Sequence, residues 1–151
     1  MTWGGIGTAT RAASLPVELK NHAGERLVVD AAGAIYTAAR RHAAQIFHGA
    51  ARQADVVDEV TRALEKLLDY KIEVLVVLEG SARPPEKSQC NQERSDRRET
   101  ARKQIIARRD LGLTTHLPYG DALVVPNWLV QGVAEWIEVQ RSSGCRTRRE
   151  I

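Results

Sequence analysis

Apolar positions along the chain fall into short blocks, and the spacing within each block changes from one to the next. Residues 26–30, "RLVVD", are a brief apolar run closed by an acid, the pattern of a short strand. The alanine-rich stretch that follows, "AAGAIYTAARRHAAQIFHGAAR", places Ile35, Ala39, Ala43 and Ile46 at helical spacing and predicts one helix. A second helix is predicted from Asp55 to Tyr70. There Val56, Val57, Val60, Leu64, Leu67 and Leu68 form an apolar stripe, and Glu59, Arg62, Glu65 and Lys66 take the other face. "IEVLVVL", residues 72–78, is a near-continuous β-branched run, which suits a parallel strand covered on both faces. Strand, helices and strand in this order make a βαβ-type crossover, which is right-handed.

Pro84 and Pro85 make residues 81–85 a loop. From Glu86 to about Asp110 the pattern is a helix with a weak apolar face. It carries eight positive side chains against five negative ones, an excess equal to the +3 net charge of the whole chain. Gly112, Pro118 and Gly120 make residues 111–126 irregular. A last helix starts near Pro126 or Asn127, with Asn127 as an N-cap and Trp128, Leu129, Gly132, Val133, Trp136 and Ile137 as its apolar side. Residues 1–140 therefore make one α/β domain, and residues 141–151 a polar, frayed tail with no further strand.

Composition narrows the classes. With 151 residues, 43% of them hydrophobic and 27% charged, the chain can bury a real core. No run of about 18 apolar residues exists, so a membrane span is excluded. Cys90 and Cys145 are far apart and belong to no CxxC pair, and the four histidines lack metal-ligand spacing. A disulfide framework and a zinc site are both disfavoured, and a reducing compartment is the simpler reading. The nucleus or cytoplasm is expected. The N-terminal "MTWGGIGTATRAASLP" lacks acids, as a mitochondrial leader does, but one basic residue and three glycines make it a poor amphipathic helix. A pI near 9.1 is weak support for a nucleic-acid partner by itself.

The chemistry sits at strand ends. Ligands of open parallel sheets bind beyond the carboxyl ends of the strands, and Asp30 and Glu79 both occupy such positions. Paired there, two carboxylates suit Mg²⁺, a hard cation that prefers oxygen. Spacing alone favours the plainer reading, in which each acid ends its strand in solvent. Lys87 and Arg94 share one helix face, and Arg98 lies one turn beyond Arg94. Guanidinium groups suit bidentate phosphate contacts, and the positive excess favours that over a helix laced by Glu/Arg pairs. Tyr36 follows apolar Ile35 and reads equally as core or as a stacking platform. Trp128 and Trp136 read as core rather than as stacking groups.

The order of these blocks resembles the N-terminal region of the flap-endonuclease/XPG nuclease superfamily. "GERLVVDAAGAIYTAAR" is similar to its first strand and helix, and "VLVVLEGSARPPEKSQCNQERSDRR" to its next strand, Pro-Pro break and basic helix. "WGGIGT" is a fainter match to its glycine-containing start, and "VVPNWLVQGVAEWIE" to a helix that precedes its next strand. The resemblance implies a PIN-like three-layer α/β fold with a small parallel sheet, incomplete relative to the family. It implies Mg²⁺- or Mn²⁺-dependent cleavage of branched or flapped nucleic acid, DNA rather than RNA, as in DNA repair. By the same resemblance Asp30 and Glu79 are metal ligands. Lys87 and Arg94 are the catalytic basic pair on the scissile phosphate. Tyr36, Gly4, Gly7, Arg97, Arg98 and Arg102 contact nucleic acid.

Three departures set an alternative beside the nuclease. The chain ends before the family's further acids, Glu79 stands where the family has Asp, and Met1 to Trp3 extend the start. Two metals about 4 Å apart carry four positive charges, of which two carboxylates balance half. A truncated or diverged relative is therefore expected. Either a partner chain supplies the missing acids, or the protein is an inactive nucleic-acid-binding or structural subunit of a larger repair or ribonucleoprotein assembly. In a structural subunit, Trp128 and Trp136 would mark an interface.

Overall fold

A computed structural model describes residues 18–78 and 89–142, together with the backbone of Ser88 and of Thr147–Glu150. After a 3-10 turn at Leu19–His22, the order is β1 (Arg26–Asp30), α1 (Ala31–Arg41), α2 (Ala43–Phe47), α3 (Gln53–Asp69) and β2 (Glu73–Val77). Then come α4 (Ser88–Asp110), α5 (Asn127–Ser142) and β3 (Thr147–Glu150). The sheet order is β1-β2-β3 and both pairings are parallel. The expected α/β class with a small parallel sheet is what the chain adopts.

One face of the sheet holds the core. Val74 and Val76 of β2, with Ile72 and Leu78 at its ends, are buried against Ile35, Ala38 and Ala39 of α1, Val56, Val60 and Leu64 of α3, and Leu129, Val133 and Ile137 of α5. Each fully buried aliphatic side chain contributes roughly 1.5–3 kcal/mol relative to exposure. The α3 stripe that the period anticipates is the stripe that packs. Val57, on its edge, meets α5 at Gly132. A Cβ built on Gly132 would lie 2.6 Å from Val57 Cγ2, so the glycine lets the two helices approach.

Four expectations need correction. Residues 31–52 do not form one helix. The turn breaks at His42, whose ring nitrogen Nε2 lies 3.0 Å from Glu59 on α3, and α2 restarts at Ala43. The β2 run is not covered equally on both faces: it alternates buried and partly buried residues, and Val28 beside it on β1 is 59% exposed. Periodicity in β2 is masked because both faces carry apolar residues. The tail is not wholly frayed, since Thr147–Glu150 pairs with β2 as a third parallel strand. Backbone pairing needs no apolar side chains, so the polar "TRRE" concealed it. Finally, Trp128 and Trp136 are only partly buried, packed on the core from one side and open on the other.

Glu59 ties the first helical layer together. It accepts from Arg41 and lies 3.0 Å from His42. Burial raises its pKa, but the hydrogen bonds and positive charges of Arg41 and His42 outweigh burial and hold the carboxyl below its ordinary value of 4.5. A depressed folded pKa contributes stability above the unfolded value and loses it as pH falls through the folded one. Glu59→Gln is therefore expected to lower stability by about 1 kcal/mol at neutral pH. Thermal melts of the two proteins should converge as the pH drops below about 4.5. A constant gap across that range would refute the ion-pair account.

Candidate nucleic-acid interface

Helix α4 has little apolar material and a single anchor. Ala101 and Ile105 are buried against Ala122, with Phe47, Leu117 and Tyr119 packed around them. Phe47, His48 and Tyr119 meet edge-to-face at centroid separations of 5.3–5.4 Å, and His48 Nε2 lies 3.0 Å from the Tyr119 hydroxyl. The guanidinium of Arg102 sits 5.8 Å from the Phe47 ring centre. The helix ends where Gly112 adopts φ +74°, and the N–H groups of Gly112 and Leu113 bond back to the carbonyls of Arg109 and Arg108.

Above the anchor the same stripe changes character. Residues 94, 98, 101 and 105 follow an i, i+4, i+7, i+11 pattern, so Arg94 and Arg98 share the side of the helix that docks through Ala101 and Ile105. Arg98 is partly buried, and its Nε donates to the Arg94 carbonyl at 3.0 Å. Arg97 lies on the flank of this stripe. Among the described residues, none of Arg94, Arg97, Arg98 and Arg102 pairs with a carboxylate. Three of the helix acids are otherwise engaged: Gln89 donates to Glu93, Gln92 donates to Asp96, and Lys103 pairs with Glu99. The lacing of arginines by glutamates, which would have made this a plain solvated helix, is absent among the described residues. What remains is a row of fixed positive charges on a docked helix, chemistry suited to phosphate.

Asp30 stands at the carboxyl end of β1, exposed, and serves as the N-cap of α1, its Oδ1 accepting from the Ala32 N–H at 2.9 Å. In register it lies opposite Val77 of β2, which lies opposite Glu150 of β3, so all three strands reach the same edge together. Tyr36 is 43% exposed on α1 beside buried Ile35, so it is not a core aromatic. Gly4, Gly7, Glu79 and Lys87 lie outside the described residues. The structure thus brings Arg94 and Arg98 onto one face, while no hydrogen bond or ion pair links Asp30 to any α4 arginine among the described residues. Arg102 is engaged on Phe47, a packing role that the spacing had not indicated.

Among the described residues no group of three or more His, Cys, Asp or Glu side chains could hold a metal ion, and Asp30 is the one expected ligand among them. No helix is long and apolar enough to cross a membrane among the described residues. The Phe47–His48–Tyr119 cluster escaped sequence reasoning, since Tyr119 lies 71 residues beyond His48 and no motif joins them.

No curated protein sequence matches the chain. A sequence model described as the XPG N-terminal domain matches residues 7–101, more than half of the chain and a span that takes in β1, β2 and most of α4. Nucleases of this family are generally divalent-metal dependent. The chain belongs to the XPG N-terminal domain family and is a nuclease-family protein.

Proposed function

We propose that this protein acts on branched or flapped nucleic acid, DNA rather than RNA, as a flap-type structure-specific nuclease module that grips the phosphate backbone through α4. The observation that carries this reading is the row of arginines without carboxylate partners, Arg94, Arg97 and Arg98, held on a helix anchored by Ile105. In this reading Arg94 and Arg98, with Lys87 before them, hold the phosphates flanking the cleaved bond. Tyr36 offers an exposed ring for a base to stack on. Asp30, at the end of β1, and Glu79 are the acids of this reading.

A second reading has its own support. In it the chain is a catalytically inactive nucleic-acid-binding or structural subunit of a larger repair or ribonucleoprotein assembly, in keeping with Asp30 as the one expected ligand among the described residues and no ligand cluster there. One experiment separates the two. Purified protein is titrated with a labelled 5′-flap DNA across a salt series, then incubated with Mn²⁺ or Mg²⁺. Both readings expect a log–log salt slope of several units. Cleavage supports the nuclease, and binding without cleavage supports the subunit. A flat salt profile would exclude both.

The cap geometry dictates the right variant for that assay. Asp30→Ala removes the N-cap as well as the charge and is expected to cost about 1 kcal/mol of stability, whereas Asp30→Asn keeps the cap. A nuclease in which Asp30 acts chemically loses cleavage in both variants while Asp30→Asn melts like the parent. Full cleavage by Asp30→Asn would remove Asp30 from the chemistry.

A further inference from the structure

On the side of α5 away from the core, a groove of about 400 Å³ runs between α5 and the first turns of α3. Trp128, Gly132 and Trp136 follow an i, i+4, i+8 stripe along its wall, and Val57 closes its floor against Gly132. The side chain of Val57 fills the space that a side chain at position 132 would take, so the groove lies over Val57 and Gly132 with Trp128 and Trp136 one helical turn to either side. An apolar floor of this kind between tryptophans suits one anchoring side chain of a helical segment.

The charge around it runs against the rest of the molecule. Asp58 and Glu135 line the groove, and among the described residues no Lys or Arg does, in a chain with 22 Lys and Arg residues and a +3 net charge. Neighbouring acids are paired: Arg52 reaches Asp55 at 3.6 Å and Arg141 reaches Glu138 at 3.6 Å. Asp58 and Glu135 have no ion-pair partner among the described residues. Carboxylates beside exposed indole faces suit a guanidinium or ammonium, which gains both a charge-assisted hydrogen bond and a cation–π contact. The same carboxylates repel a phosphate backbone, so the surface is separate in kind from α4.

We propose that this groove docks a cationic, apolar-anchored segment of a partner protein, with its basic side chains on Trp128 and Trp136 and paired to Asp58 and Glu135. The probe is a short amphipathic helical peptide of arginine and leucine, with a glutamate–leucine peptide of the same pattern as control. A Trp3→Phe background makes emission report Trp128 and Trp136 alone. The arginine peptide should shift that emission saturably and the glutamate peptide should not. Asp58→Asn with Glu135→Gln should weaken the response about tenfold, as two such contacts allow, and should leave flap-DNA affinity undiminished. Glu65→Gln with Asp69→Asn, acids elsewhere on α3, should change nothing. No response, an equal response to both peptides, or an equal loss in the control variant would overturn the proposal. So would sedimentation showing self-association that Asp58→Asn with Glu135→Gln abolishes, since the occupant would then be a second copy.

Discussion

Replacing Arg94, Arg97 and Arg98 together by glutamine is expected to weaken flap-DNA binding by at least about tenfold at moderate salt. It should also reduce the log–log salt slope by about two to three units, close to one for each phosphate contact removed. The reasoning begins with what these side chains do not do. None holds a carboxylate among the described residues, and none is buried in the α4 anchor, which Ala101 and Ile105 form. Glutamine matches arginine closely in helix propensity, so α4 should persist. Melting temperature and the circular-dichroism spectrum should therefore stay near the parent's while affinity falls. Two other arginines serve as controls. Arg41 is committed to Glu59, and Arg108 reaches the carbonyls of Thr115 and His116 at 3.4 Å. Replacing either should leave the salt slope unchanged. An unaltered slope in the triple variant would remove α4 from the interface.

Ile105→Ala should have the largest effect on structure, about 2–5 kcal/mol, the usual cost of emptying a fully buried aliphatic site. Ile105 is completely buried, and among the described residues the cluster around it has only Ala101 and Ala122 as other buried members, with Phe47, Leu117 and Tyr119 partly buried against them. Ile105 is its one large fully buried side chain. The loss should be local. Amide exchange of residues 88–110 should quicken, while protection in β2 and α5 persists, because the main core of Val76, Leu129 and Ile137 lies in a different cluster. Flap-DNA affinity should fall with it, since the arginines lose their fixed direction. Ile137→Ala offers the contrast: similar in cost, it should destabilise the whole domain at once. Undisturbed exchange in α4 and unchanged DNA affinity in Ile105→Ala would show that the helix is held by something other than this anchor.

How much of this was legible can be judged residue by residue. The α3 stripe was readable because Val56, Val60 and Leu64 repeat at the period of a helix that buries one side. The basic character of α4 was readable from composition, and its likeness to the family's second block from the order strand, Pro-Pro, arginines. The break at His42 was not, because the partner His42 meets there is Glu59, 17 residues away and on another helix. The role of Arg102 was not, because Phe47 becomes its neighbour only when α2 and α4 dock. Strand β3 was not, because its polar residues carry no alternation and it joins the sheet through backbone pairing with β2.

The sequence by itself determined the α/β class, the acid Asp30 at the end of β1 and the arginine-rich helix, because periodicity, chain breakers and charge are properties of neighbouring residues. Only the tertiary structure decided which arginines are free of carboxylates, that Asp30 caps a helix, that Tyr36 is exposed, and that two tryptophans line an acidic groove. Those outcomes depend on which distant surfaces exclude water from one another, and burial of that kind is a property of the packed chain.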